Sequence, residues 1–138
     1  MAGFTHSYAL LADLIVAIHL GYVVVVVFGL PATLLGGVLR WRFVRNFWFR
    51  AIHLAMIMIV VFQALLGILC PLTVWEYDLR AAAGQKYAVD ASFVARLIHK
   101  LIFFDFAPIV FTVGYCLFGF AVIASWLLIP PVLPWKRK

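Results

Sequence analysis

Charge is scarce in this chain. Only 12% of its 138 residues are Asp, Glu, Lys or Arg, against about 25% in an ordinary soluble domain. Acidic residues number five. Two cysteines are too few for a disulfide scaffold. The sequence also lacks a phosphate-cradling glycine loop, a nucleophile–base motif and a pair of carboxylates within one short segment, so nothing in it argues for catalysis. No Lys or Arg precedes Arg40, so the basic n-region of a signal peptide is missing. What is abundant is apolar: 67% hydrophobic and 17% aromatic residues, with a mean hydropathy of +1.14. This composition excludes a disordered chain and a secreted soluble enzyme, and it points to a membrane protein.

A net charge of +6 invites a nucleic-acid reading, but the basic residues are misplaced for one. Arg40, Arg42, Arg45 and Arg50 form one cluster and Lys136, Arg137 and Lys138 another, separated by apolar runs of membrane-crossing length. The charge reads as topology, and no nucleic-acid partner is expected.

The expected architecture is an all-α membrane protein, one domain over 1–138, with three transmembrane helices at about 8–30, 51–70 and 108–129. The first apolar run, Tyr8 to Leu39, is too long for an upright crossing, so it either tilts strongly or bends at Gly29-Leu30-Pro31. Placing both basic clusters in the cytoplasm gives an N-out, C-in arrangement, an inner loop at 31–50 and an outer segment at 71–107. In that outer segment Arg80, Lys86, Arg96 and Lys100 balance Glu76, Asp78, Asp90 and Asp105.

One or two short outer helices are expected there. Pro71 stops the second span. Thr73-x-x-Glu76 reads as a capping box that starts a helix from Val74 to Ala83, with Gly84 as its stop. Glu76 and Arg80 are spaced for an i,i+4 ion pair. Asp90 or Ser92 can cap a second helix, Phe93 to Phe104, with Phe93, Leu97, Leu101 and Phe104 on one face and Arg96, His99 and Lys100 on the other. Such a helix lies flat on the outer membrane surface.

Polar groups inside apolar spans are the best pointers to function, because an unpaired one is costly in lipid. Asp13, Ala17 and Gly21 share one stripe of the first span, and Ala17-x-x-x-Gly21 is a small-residue seam for a neighbouring helix. His19 falls about 120° away, with Ala12 and Val16. In the second span His53, Met56, Val60, Gln63, Gly67 and Cys70 make a stripe; in the third, Thr112, Tyr115, Cys116, Gly119 and Trp126. The structural reading pairs Asp13 with Arg80 or Arg96 and hydrogen-bonds His19 to Gln63. The cofactor reading takes His19 and His53 as haem b ligands, although by count they differ in depth by about 10 Å at 1.5 Å per residue. A metal site from His19, Gln63, Cys70, Glu76 and His99 lacks any short ligand spacing, so no metal is expected. A Cys70–Cys116 disulfide is possible by side but not by depth.

The order Ala12-Asp13, His19, Arg40-Trp41, Ile52-His53-Leu54 and Gly67-x-x-Cys70-Pro71-Leu72-Thr73-x-x-Glu76-x-x-Leu79-Arg80 resembles a family of small bacterial inner-membrane proteins known as a domain of unknown function. The likeness runs from about Leu10 to Pro131, and the CPLT-x-x-E-x-x-LR string is its most specific part. It implies a multi-pass protein of the bacterial inner membrane and marks Asp13, His19, His53, Cys70, Glu76 and Arg80. Many relatives carry Glu where this chain has Gln63. The expected function is an accessory or scaffold subunit of a larger bacterial membrane complex (respiratory, photosynthetic or similar), with the lipid bilayer and other membrane subunits as partners. A haem- or metal-binding redox module and a small oligomeric transporter are the alternatives.

Overall fold

The computed structural model describes residues 2–85, 93–102 and 106–133, the side chains of 2–4, 93 and 102 excepted. The candidate caps Asp90 and Ser92, the end of the second outer helix at Phe103 and Phe104, and the Lys136–Lys138 cluster lie outside the described residues. Five helices make up the described chain: α1 (Ala2–Val38), α2 (Phe47–Leu66), α3 (Pro71–Ala82), α4 (Phe93–Ile102) and α5 (Pro108–Leu128). Three of them, α1, α2 and α5, are long and apolar enough to cross a membrane.

α1 neither breaks nor ends at Pro31 but continues to Val38. Proline removes one backbone donor, a loss that helices in apolar surroundings tolerate where neighbours and hydroxyl groups hold the backbone. Thr33 secures this stretch by donating its hydroxyl to Gly29 O at 2.8 Å. Arg40, at φ 56°, then turns the chain in the left-handed conformation, and Trp41 N–H returns to Gly36 O at 2.7 Å. Asn46 caps α2 by accepting from Trp48 N. The connection between the first two long helices is thus shorter than the expected 31–50 loop, and Arg50 belongs to α2 rather than to it.

α2 ends at Leu66, four residues before the expected Cys70, because Gly67 takes the left-handed C-cap at φ 65°. α3 then starts at Pro71, three residues earlier than the capping box placed it. Cys70 occupies the N-cap position and contributes no side-chain cap bond. Thr73 and Glu76 therefore lie inside the helix, and the capping box is not formed. The expected stop does form: Gly84 is left-handed at φ 74°, and Gln85 N–H reaches Arg80 O at 2.9 Å.

α3 packs along the N-terminal half of α1, α5 packs along α2, and both α2 and α5 touch α1 more sparingly. The core is small: Val26 of α1, Ile57 of α2 and Val122 of α5, flanked by Tyr22, Leu54, Val60 and Phe118. The inward line of α1 is Ala12, His19, Val26 and Thr33, each seven residues after the last, with buried Gly29 and Gly36 beside it. A seven-residue repeat is the register of helices packed at a shallow left-handed angle. The Ala17-x-x-x-Gly21 seam is not used: both residues are exposed, and nothing lies within 4 Å of where a Gly21 Cβ would stand. Close approach occurs instead at Gly36, where a Cβ would sit 2.6 Å from Val44, and at Gly29, where it would collide with the His53 ring.

Burial in α2, α3 and α5 departs from the pattern of a water-soluble bundle. α2 buries Arg50, His53 and Ile57; α3 buries Thr73, Glu76 and Tyr77; α5 buries Gly119, Val122 and Ser125. Large apolar side chains such as Phe28, Phe62, Trp75 and Phe120 point outward. That arrangement costs nothing only where the surroundings are themselves apolar.

Candidate functional site

Three groups of polar side chains come together, and none joins His19 to His53. The first is at the end of α5. Arg50, 2% exposed, donates one guanidinium nitrogen to Ile129 O and the other to Ser125 Oγ at 2.8 Å. Its guanidinium also lies 5.4 Å from the centre of the Trp126 ring. A cation at a helix C-terminus meets the negative end of the helix dipole, so Arg50 closes α5 onto α2. Sequence reading assigned it to a solvent-facing basic cluster; its position inside α2 and the hydroxyl of Ser125 at the far end of α5 were the missed signals. One turn further along α2, His53 Nε2 lies 2.9 Å from Val26 O.

The second group joins α1, α3 and α4. Glu76, 2% exposed, takes Arg80 Nε on Oε1 at 3.0 Å and Arg96 Nη2 on Oε2 at 2.8 Å. Arg80 continues to Asp13 Oδ1 at 3.0 Å and to Gln85 Oε1 at 3.1 Å. Arg96 stands over the Tyr77 ring, 5.1 Å from its centre. Both the i,i+4 pair and the Asp13–Arg80 pair match expectation. Arg96 does not: grouped with His99 and Lys100 on the polar face of α4, it turns back to α3. Burial works to raise the Glu76 carboxyl, but the hydrogen bonds and charges of Arg96 and Arg80 outweigh it and hold the group below its ordinary value of 4.5. Two carboxylates and two guanidiniums make this network formally neutral.

The third is a cavity of about 290 Å³ where α1 parts from α2 and α5. His19, Tyr22, Gln63, Cys70, Thr73 and Tyr115 supply its polar wall. Tyr22 spends its hydroxyl on Met56 O at 2.7 Å. The Gln63 side chain makes no hydrogen bond among the described residues, so the expected His19–Gln63 bond is absent although both face this space. A second cavity of about 370 Å³ shares Gln63 and Tyr115 and adds Arg96 and His99. Cys70 and Cys116 are free thiols. Among the described residues no group of three His, Cys, Asp or Glu side chains is placed to hold a metal ion.

Residues 9–131 match the family model described as protein of unknown function, DUF2784. The chain belongs to the DUF2784 family. No curated protein and no solved structure matches it. In this DUF2784 member the match takes in all three groups, from Asp13 through Ser125 and Ile129.

Proposed function

We propose that this protein is a non-catalytic accessory subunit of a larger membrane complex, inserted three times in the bacterial inner membrane with its N-terminus outside and C-terminus inside. The observation that carries this reading is where the polar groups go. Arg50, His53, Tyr22, Glu76, Arg80 and Asp13 are spent on joints between helices. The outward surface is left to large apolar side chains. A general base beside a nucleophile, or a carboxylate pair facing a cleft, would be the mark of an enzyme; Asp13 and Glu76 already hold arginines. The orientation rests on the Arg40, Arg42 and Arg45 cluster between the first two spans.

The haem reading is weaker. His53 Nε2 is held at Val26 O, and Val26 lies seven residues, about 10 Å, along the helix from His19. Purification of the native protein in a mild detergent tests the proposal. A stable companion at fixed stoichiometry is expected; a chain that elutes only as a free monomer sinks it. An absorption spectrum of the same sample settles the haem alternative through its Soret band, which His19→Ala should remove.

A further inference from the structure

Thr73 is fully buried, 0% exposed, and its hydroxyl finds no hydrogen-bond partner among the described residues. A buried hydroxyl left unmatched is costly, by about 1–3 kcal/mol. Thr73 faces the 290 Å³ cavity. So does Gln63, whose side chain makes no hydrogen bond among the described residues. Thr73 stands in the first turn of α3, whose N-cap residue Cys70 supplies no side-chain cap.

The rest of the wall defines what these donors await. Among the described residues no Lys, Arg, Asp or Glu lines the cavity, so they offer a charged headgroup no counter-ion there. Val23, Val26, Ile57 and Val60 make an apolar body, and Tyr115 and Phe118 of α5 add aromatic rings suited to a flat partner. The volume is near the lower end of small-molecule sites, about 300 Å³ upward, enough for one ring or two fused rings. Exposed Gly114 stands at the rim, where a long tail could leave between helices.

We infer that this cavity binds a neutral, planar, lipid-soluble carbonyl compound of the quinone class, with a ring carbonyl oxygen accepting from the Thr73 hydroxyl and the Gln63 amide. The site lies within one chain and needs no partner subunit, so it stands or falls separately from the accessory role.

Valine methyl NMR of the full-length protein in detergent micelles tests it, with menadione and decylubiquinone as probes and a short-chain diacylglycerol as the competing carbonyl lipid. Saturable shifts confined to the methyl groups of Val23, Val26 and Val60 are expected with at least one quinone. Thr73→Val keeps the side-chain shape, so the free protein should melt no lower than wild type while quinone affinity falls about five-fold. Gln63→Leu should weaken binding similarly. Gly114→Leu, whose Cβ meets nothing within 4 Å, should fold and abolish binding by filling the rim. No saturation with either quinone, tighter binding of diacylglycerol, or affinity unchanged by both Thr73→Val and Gly114→Leu overturns the inference.

Discussion

Arg50 of α2 reaches across to Ile129, the residue that ends α5, and donates to its carbonyl oxygen. The same guanidinium holds Ser125 one turn earlier, and the Ser125 hydroxyl donates in turn to Val122 O at 2.6 Å. One charged side chain thus terminates a neighbouring helix and fixes the α2–α5 spacing. The last carbonyls of a helix have no partner within it, and in apolar surroundings no water replaces one.

Arg50→Met should therefore destabilise the fold by about 2–3 kcal/mol, the worth of charge-assisted hydrogen bonds. Arg50→Lys should recover less than half, because an ammonium cannot span Ile129 O and Ser125 Oγ with one planar fork. Thermal melts of the detergent-solubilised variants measure both. Equal melting of wild type and Arg50→Met would remove Arg50 from the architecture.

Glu76 is the common acceptor for α3 and α4, so Glu76→Gln strands two guanidiniums at once. Breaking a buried pair by removing one partner costs about 3–5 kcal/mol; with Arg80 and Arg96 partly exposed, the lower end is expected. The double variant Glu76→Gln, Arg96→Gln should lose less than the sum of the single changes. Additive losses in that double-mutant cycle would show that the two side chains do not interact.

Acid should act through the same carboxylate. The folded protein holds Glu76 below 4.5, so its contribution is complete above the unfolded value and is lost as pH falls through the lowered folded value. Wild type should lose stability below about pH 4.5, and Glu76→Gln should lose less over that range. Parallel pH profiles of the two proteins would contradict this.

Gly29 and Gly21 make a paired test of helix contact. Alanine is favoured over glycine in a helix by about 1 kcal/mol, so Gly21→Ala, open to its surroundings, should be neutral or stabilising. Gly29→Ala drives a methyl into the His53 ring and should cost about 1–3 kcal/mol despite the same propensity gain. Similar melting of the two variants would mean that α1 and α2 do not meet at Gly29.

Local rules alone determined much of this protein. Three apolar runs mark the three long helices because every backbone group must bond within its own helix when lipid is the solvent. Glu76–Arg80 was legible because four residues make one helical turn, and Gly84 because a left-handed stop favours glycine. The inward faces were legible only in part: Ala12 with His19, His53 with Met56 and Val60, and Gly119 do lie inward. Where the surroundings are as apolar as the core, large apolar side chains carry no inward preference, so periodicity suggested Ala17–Gly21 while packing chose Ala12, His19, Val26 and Thr33. Tertiary structure also decided the long-range matches: Arg96 to Glu76 and Arg50 to Ile129, too far apart in sequence for any local spacing to signal them. It decided the place of Thr73 as well. Pro71 begins α3 early enough that Thr73 lies within its first turn rather than at the N-cap, on the wall of a cavity.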